Sequence, residues 1–284
     1  MLVVGLLAVA AVFPSLACAP GARRLSYGTL ESPAMGRPME YAIYEPADRG
    51  AAERLPLVVF LHGGGDAVDC FDEAGVGQAL DAALAQGRLA RAVVVVAEGD
   101  LGFWENWVDG SRMYRDWVVR DLVPHVRERY ATLDCPAGCH VIGISMGGHG
   151  ALRFALLEPG RFASVTAISA PIMDTDSMLS LANSGFVRFL IPVKRIWGPG
   201  DDREEVEQAD LFVRWTKPED LRGMRLVLAW GEADRDRVID SNERFHAHLE
   251  RHSVPHEAIV FEGGHDWTAW TPVLEQALSI QIGR

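Results

Sequence analysis

The stretch HVIGISMGGHGALRFALL, residues 140–157, decides the fold. Its first five residues are apolar enough for a buried strand, and residues 147–157 have the composition of a helix. Between them, GISMG at 143–147 has the pattern G-x-S-x-G. A serine at a sharp strand-to-helix turn adopts a strained backbone, and small residues two positions away on either side let the chains pass closely. The pattern predicts Ser145 as a nucleophile, and a small-residue turn with an idle serine is the alternative.

A serine hydroxyl needs a general base and an acidic group that orients this base. In folds that carry this motif, the acid follows the serine in the chain and the histidine comes last. His265 follows the last predicted strand, in a loop that could carry an imidazole to the serine. Asp234 leaves the end of the preceding predicted strand and is the first choice for the acid, with Glu232, Asp236 and Asp240 as competitors. A solvated loop of alternating charges is the alternative for this acidic cluster.

Acyl transfer also requires two backbone N–H groups that stabilise the oxyanion. Met146, directly after the predicted nucleophile, is expected to supply one of them. The other is expected from the glycine loop HGGGD at 62–66, which follows the first long apolar run. Gly64 is the first choice and Gly63 the second, and a plain tight turn is the alternative for this loop.

Short apolar runs alternate with amphipathic stretches along the rest of the chain. They predict strands at 55–61, 92–97, 140–144, 164–169, 225–230 and 258–261, and helices at 76–86, 112–130, 147–157, 241–251 and 271–282. An alternating stretch within 27–46 predicts an exposed strand at an antiparallel edge. This order indicates an α/β fold with a mostly parallel central sheet and helices on both faces. Pro124 is expected to bend or interrupt the helix that contains it.

One domain is predicted for residues 25–284, because α/β domains often exceed 200 residues as a unit. Residues 171–222 break the alternation of strands and helices. They are interpreted as a helical insertion after the strand at 164–169. This insertion is either a lid over the site or a set of ordinary surface helices.

The N-terminus has a composition of its own. Residues 1–19 carry no charge, and the apolar run at 2–13 is too short to span a bilayer but is typical of a signal peptide. The sequence therefore predicts export, as a periplasmic, secreted or Cys18-anchored lipoprotein, although no basic residues open the segment; an apolar tail is the alternative. In an exported protein Cys135 and Cys139 could form a small disulfide, whereas in the cytoplasm they would remain thiols.

Composition excludes several classes of partner. The formal net charge of -12 argues against nucleic acid, because phosphate binding needs clustered Lys and Arg. No CxxC pair occurs and the histidines are scattered, so neither a metal site nor a cofactor is predicted.

Trp107 and Trp267 are the predicted substrate contacts. Trp104 and Trp270 also lie in segments that could border the cleft. Core packing is the alternative for all four tryptophans.

Four motifs together resemble a known family: LHGG at 61–64, GISMGG at 143–148, G-x-x-D at 231–234 and GHDW at 264–267. They are similar to motifs of the Putative esterase family, which includes esterase D and the antigen 85 proteins. The serine motif with methionine and the GGHDW ending also resemble bacterial feruloyl, acetyl-xylan and tributyrin esterases. The resemblance covers most of the chain from about Tyr27 and is specific for fold and catalytic apparatus, but not for the substrate.

The resemblance implies an α/β-hydrolase fold and a function. Ser145, Asp234 and His265 would form a catalytic triad, and Gly64 with Met146 an oxyanion hole. The expected activity is a serine carboxylesterase that hydrolyses small-molecule esters of small to medium acyl or aromatic acids through an acyl-enzyme. Acyl transfer or thioester hydrolysis on the same fold is one alternative, and a hydrolase-like binding protein without catalysis is another.

Overall fold

The computed structural model describes residues 25–47, 49–50, 52–183, 192–198, 203–207 and 210–283. The predicted leader at 1–19, with Cys18, lies outside the described residues, as does part of the predicted insertion. Export and lipid anchoring therefore stay predictions. Across the described ranges, no helix combines the length and the apolar character needed to cross a membrane.

A single mixed sheet forms the centre of the described structure. Its eight strands are β1 (Leu25–Ser32), β2 (Arg37–Tyr44), β3 (Leu57–Leu61), β4 (Val93–Ala97), β5 (Cys139–Ile144), β6 (Ser164–Ile168), β7 (Arg225–Gly231) and β8 (Glu257–Phe261). They lie in the order β1-β2-β4-β3-β5-β6-β7-β8. β2 is antiparallel to both of its neighbours, and all pairs from β4 to β8 are parallel. The predicted mostly parallel sheet is confirmed.

The antiparallel edge differs from the sequence-based prediction of one strand within 27–46. Two strands, β1 and β2, form a hairpin there in which Leu25 is paired with Tyr44. The N–H of Gly36 donates to the carbonyl of Ser32 at 2.8 Å, and Gly36 has a φ of 63°. A glycine takes this left-handed conformation without steric cost, so it closes the turn that the sequence pattern did not reveal.

Helices cover both faces of the sheet. They are α1 (Cys70–Glu73), α2 (Val76–Ala85), α3 (Tyr114–Asp116), α4 (Val123–Tyr130), α5 (Met146–Leu157), α6 (Thr175–Asn183), α7 (Val193–Trp197), α8 (Arg203–Glu207), α9 (Leu211–Arg214), α10 (Asp236–Arg251) and α11 (Trp267–Ile282), with a 3-10 turn at Pro218–Leu221. Short helices fill the described part of the predicted insertion. Whether this segment acts as a lid stays a prediction.

Two helices begin earlier than predicted. α10 begins at Asp236 and not at 241, and α11 begins at Trp267 and not at 271. The Asp266 carboxylate accepts hydrogen bonds from the N–H groups of Thr268 and Ala269 at 2.9 and 3.2 Å. An aspartate in this position satisfies N–H groups that have no partner inside the helix, and it therefore sets the start of α11.

Pro124 does not end the helix that contains it. A π-helical segment, Trp117–Leu122, joins α3 to α4, so residues 114–130 form one continuous helical rod. Proline has no N–H to give to the carbonyl four residues earlier. The wider π-helical turn lies next to the point where this hydrogen bond is missing, and the rod continues beyond it.

The core has two parts, one on each face of the sheet. Successive residues of β3 alternate between them: Leu57, Val59 and Leu61 belong to the larger cluster, and Val58 and Phe60 to the smaller one. The larger cluster packs under α5, α10 and the rod at 114–130, and the smaller one under α2 and α11. A strand covered on both faces must be apolar at every position, which explains the uninterrupted apolar runs of the sequence.

Cys135 and Cys139 are joined by a disulfide with a Cα–Cα distance of 5.0 Å. It closes the turn that leads into β5, the strand that carries the G-x-S-x-G motif.

Candidate active site

Ser145 lies at the sharp turn between β5 and α5, with φ 49° and ψ −119°. A Cβ atom on Gly143 would overlap the carbonyl oxygen of Gly147, and a Cβ atom on Gly147 would overlap the carbonyl oxygen of Leu61. The two glycines of the motif therefore let β5, α5 and the end of β3 pass at distances that no side chain allows. This crossing holds Ser145 in its strained conformation at the carboxyl end of the sheet.

The three predicted triad residues form one chain of hydrogen bonds. The Oγ of Ser145 lies 2.8 Å from Nε2 of His265, and Nδ1 of His265 lies 2.8 Å from Oδ1 of Asp234. Because a carboxylate only accepts, Nδ1–H donates to Asp234 and Nε2 is left to accept the serine proton. Asp234 is buried, whereas its sequence competitors Glu232, Asp236 and Asp240 are exposed.

The loops after β7 and β8 hold the acid and the histidine together. The N–H of Ala233 donates to the carbonyl of Gly263 at 3.0 Å, and the N–H of Glu232 donates to the carbonyl of Phe261 at 2.9 Å. A Cβ atom on Gly231 would overlap the carbonyl oxygen of Gly263. The glycine thus allows the two loops to lie close enough for the side chains they carry to meet.

The environment of Asp234 favours its ionised form. Burial raises the pKa of this carboxyl, but hydrogen bonds from His265 and from the N–H of Arg235, at 2.7 Å, outweigh burial and hold the pKa below its ordinary value. Asp234 therefore stays charged at neutral pH and can stabilise a positive charge on the imidazole.

Two backbone N–H groups close to Ser145 are candidates for the oxyanion donors. Met146 is the first residue of α5, so its N–H has no acceptor within the helix. Gly64 lies beside it, since a Cβ atom on Gly64 would be 3.9 Å from the Cβ of Met146. The N–H of Gly63 instead donates to Asp66 at 3.2 Å, whereas no acceptor within the described residues takes the N–H of Gly64. The geometry favours Gly64 over Gly63 as the second donor.

His62 is a buried residue of this site to which the sequence analysis gave no role. Its Nε2 accepts the N–H of Gly99 at 3.1 Å, so the proton is on Nδ1, which donates to the carbonyl of Gly63 at 2.8 Å. The Gly63–Gly64 peptide is planar, so fixing its carbonyl also fixes the direction of the Gly64 N–H. The position of His62 directly before the glycine loop was the sequence signal for a role at this site. The tautomer of His62 could not be read from that signal, because Nε2 contacts Gly99, 37 positions later in the chain.

A cavity of about 570 Å³ opens at Ser145. Its lining consists of the glycine loop with Asp66, two side chains of the loop after β4, the motif at Ser145, and residues after β6, β7 and β8: Gly63, Gly64, Gly65, Asp66, Leu101, Phe103, Ser145, Met146, Pro171, Arg235, Arg237, His265 and Trp270. Within the described part of the predicted insertion, only Pro171 reaches this lining. The wall is thus partly aromatic and partly charged.

Neither of the predicted substrate contacts, Trp267 and Trp107, belongs to the described lining of this cavity, so their role in binding stays a prediction. Trp267 packs against Phe60 and Phe71 in the smaller core cluster, with ring centroids 6.1 and 6.4 Å away. Trp107 lies under the guanidinium of Arg195, 4.9 Å from the ring centroid.

Trp270, three residues after Trp267, is the tryptophan that borders the site. Its ring meets His265 edge-on with centroids 4.9 Å apart, and its Nε1–H donates to Ser169 at 2.9 Å. The fourth candidate, Trp104, is fully buried in the core. The predicted helix start at 271 left both Trp267 and Trp270 in a loop of unknown direction. The observed start places Trp270 one turn inside α11, beneath the imidazole.

A buried ion pair holds the loop that carries Phe103. Glu105 pairs with Arg153 of α5, and both side chains are almost fully buried. Burial raises the pKa of Glu105, but the charge of Arg153 outweighs it and the pKa is lowered. The pair ties one wall of the cavity to the helix that begins after Ser145.

The described residues contain no group of three or more His, Cys, Asp and Glu side chains that could hold a metal ion.

Comparison with known proteins gives several matches. The model of a family described as Putative esterase matches residues 32–280. Esterase MT1326 of Mycobacterium tuberculosis (strain CDC 1551 / Oshkosh) is 26% identical over 262 residues, which are 85% of this chain and 56% of that protein. S-formylglutathione hydrolase of Arabidopsis thaliana is 29% identical over 190 residues, 58% of this chain and 63% of that protein. The chain therefore spans less than two thirds of the length of these relatives.

The solved structure of a ferulic acid esterase superposes with a TM-score of 0.74 at 21% identity, covering 91% of this chain and 97% of that one. This likeness confirms the α/β-hydrolase fold. Because the family model covers the motif at Ser145, the loop of Asp234 and the loop of His265, the chain belongs to the Putative esterase family.

Proposed function

We propose that this protein is a serine carboxylesterase that works through an acyl-enzyme on Ser145. The observation that carries the proposal is the unbroken hydrogen-bond chain from Ser145 through His265 to the buried Asp234, at 2.8 Å for each step. A nucleophile, a base and an orienting acid at these distances are the parts that acyl transfer requires.

In the acylation step, Nε2 of His265 takes the proton of Ser145 while Oγ attacks the ester carbonyl carbon. The carbonyl oxygen becomes an oxyanion that accepts hydrogen bonds from the N–H groups of Gly64 and Met146. The charge of Asp234 stabilises the imidazolium and holds its tautomer. His265 then gives the proton to the alcohol oxygen as the carbon–oxygen bond breaks, and the alcohol leaves.

Deacylation repeats the sequence with water. His265 removes a proton from a water molecule, whose oxygen attacks the acyl carbon, and the same two N–H groups stabilise the second oxyanion. The proton returns to Oγ of Ser145 as the acid leaves. His265 thus takes up and returns the proton in both halves of the reaction, while Asp234 stays ionised.

The lining favours esters of small to medium acyl or aromatic acids. Phe103, Trp270 and Met146 give the cavity an apolar wall beside the nucleophile. The relatives named ferulic acid esterase and S-formylglutathione hydrolase support, respectively, an aromatic acyl group and a thioester as substrates. Thioester hydrolysis is the second candidate function, because the same triad and oxyanion donors would serve a thiol leaving group.

Rapid mixing with 4-nitrophenyl acetate and 4-nitrophenyl butyrate tests the proposal. An acyl-enzyme whose hydrolysis is slower than its formation releases a burst of nitrophenol equal to the number of active sites. A fluorophosphonate probe should label Ser145 and abolish the burst, and peptide mass analysis of the labelled chain locates the adduct. A folded protein that neither hydrolyses these esters nor reacts with the probe contradicts the proposal and favours a binding protein.

Replacing His62 by alanine should lower kcat by about 10- to 100-fold and change KM by less than about threefold. The substitution leaves the charge of the triad intact but releases the Gly63–Gly64 peptide, so the Gly64 N–H loses its fixed direction. Steady-state kinetics on 4-nitrophenyl butyrate measures the two constants separately.

The matched variant His62→Asn distinguishes positioning from packing. Its side-chain amide can still donate to the carbonyl of Gly63, so it should recover part of the lost kcat. If both variants lose stability equally and neither changes kcat, His62 has only a packing role.

A further inference from the structure

The cavity at Ser145 contains two arginines that the mechanism does not use. Arg235 and Arg237 are both exposed and both belong to the lining. Neither makes an ion pair with any carboxylate in the described part of the chain. Other arginines at the surface do: the half-buried Arg37 pairs with Asp100 at 2.7 Å and the exposed Arg195 with Asp109 at 2.7 Å. Within the described residues, the two arginines of the lining thus have no ionic partner that a ligand would have to displace.

The positions of Arg235 and Arg237 in the chain fix their backbone relative to the triad. Arg235 directly follows Asp234, and its N–H donates to the Asp234 carboxylate at 2.7 Å. α10 begins at Asp236, so Arg237 lies in the first turn of a regular helix. The backbone of both arginines is therefore held within three residues of the acid that orients His265.

The charge of the surroundings makes this pair unusual. The chain carries a formal net charge of -12, which repels an anion at long range. Asp66 is the one carboxylate in the described lining, and its two oxygens are engaged by the N–H of Gly63 and the indole N–H of Trp267. Among the described residues of the lining, an anion would meet two guanidinium groups without an ionic partner and one carboxylate whose oxygens already accept hydrogen bonds.

We propose that Arg235 and Arg237 form a subsite for a carboxylate on the ester substrate. This inference rests on the proposed function and narrows its substrate class to anionic esters. The planar guanidinium group matches a carboxylate with two parallel hydrogen bonds, and it loses less hydration than an ammonium group. The reacting carbonyl would lie at Ser145, with the apolar part of the substrate against Phe103 and Trp270 and its charge at the start of α10.

The carboxylate could belong to the acyl half or to the alcohol half of the ester, and two pairs of substrates separate these sources. Mono-4-nitrophenyl adipate and 4-nitrophenyl hexanoate differ in charge on the acyl side. 4-Acetoxybenzoate and its methyl ester differ in charge on the alcohol side. The quantity measured is the ratio of kcat/KM for the anionic ester to kcat/KM for its neutral partner, so that each enzyme variant is its own reference.

The double variant Arg235→Gln/Arg237→Gln should lower this ratio by about tenfold or more in one of the two pairs, mainly through KM. Glutamine keeps the backbone N–H that binds Asp234, so the triad retains its hydrogen bond. Arg237→Glu should lower the ratio further, because it places a like charge in the subsite. The matched control is Arg251→Gln at the far end of α10, which should leave the ratio unchanged.

Salt provides a test on the unaltered protein. Raising NaCl from about 0.05 to about 0.5 M screens both the long-range repulsion by the net charge and the attraction at the subsite. The two arginines lie nearest the bound anion, so loss of their attraction should dominate and the ratio for wild type should fall. This measurement tests the carboxylate subsite even where the double variant fails to fold.

Equal ratios in wild type and in the double variant, with neutral esters still hydrolysed, overturn the subsite and leave the esterase proposal intact. The subsite is also overturned if the ratio for wild type rises with salt in both pairs, because repulsion by the net charge would then be the dominant effect. If wild type hydrolyses none of the four esters and no fluorophosphonate adduct forms, the proposed function itself fails.

Discussion

Replacing Ser145 by alanine should lower kcat/KM for 4-nitrophenyl butyrate by at least about 10⁴-fold. The substitution removes the oxygen that lies 2.8 Å from Nε2 of His265 and keeps every other part of the site. What remains are the oxyanion donors and the cavity, which can only assist a direct attack by water.

The same variant should keep its fold. Alanine retains the Cβ atom of serine, so the strained conformation at φ 49° costs both residues the same. The thermal midpoint should therefore stay within a few degrees of wild type, and circular dichroism alongside the kinetics checks this. The loss of activity can then be assigned to the chemistry and not to unfolding.

Ser26→Ala on the exposed edge strand β1 is the matched control, and it should leave kcat/KM unchanged. A Ser145→Ala protein that retains the wild-type rate would require another nucleophile and would contradict the assignment of the triad. Partial activity that a fluorophosphonate still abolishes would have the same meaning, because the probe would then have reacted elsewhere.

Much of this architecture could be predicted because it depends on local patterns. β3 and β4 are apolar at every position, since both of their faces are covered, and the sequence shows this directly. The G-x-S-x-G motif marks a turn whose steric requirements only glycine meets. The order serine, acid, histidine then selected Asp234 and His265, which the structure brings within hydrogen-bonding distance of one another.

Other features depend on contacts that no local pattern encodes. Trp267 and Trp270 are close in sequence, yet the first packs into the core and the second borders the cavity, because the start of α11 sets their directions. For the segment with Arg235 and Arg237, a solvated loop of alternating charges was only the alternative to a triad acid, and the sequence predicted no role for the two arginines. Only the structure shows that both arginines, together with His265 after β8, line the cavity at Ser145.

The glycine at position 147 provides the strictest test of how the fold holds the site. Replacing Gly147 by alanine should destabilise the protein by about 3 kcal/mol or more, because the added methyl group would overlap the carbonyl oxygen of Leu61. Helix propensity predicts the opposite sign, since alanine is favoured over glycine inside a helix by about 1 kcal/mol. The sign of the change in unfolding free energy therefore decides which effect dominates.

The steric effect should win, because its partner is backbone and cannot rotate away. The methyl group would press on Leu61 and on the carbonyl of His62, at the end of β3 where the glycine loop begins. Any Gly147→Ala protein that folds should accordingly show a lowered kcat, since Gly64 would move away from the oxyanion position. Urea denaturation gives the free energy, and 4-nitrophenyl butyrate kinetics on the folded fraction gives the rate.

Gly50→Ala is the control, because a Cβ atom there would lie 3.9 Å from its nearest neighbour. This variant should unfold within about 0.5 kcal/mol of wild type and hydrolyse esters at the same rate. A Gly147→Ala protein that is more stable than wild type would mean that α5 and the end of β3 are not in close contact. The crossing could then not be what holds Ser145 in its strained conformation, and the hydrogen-bond chain to Asp234 would have to maintain it alone.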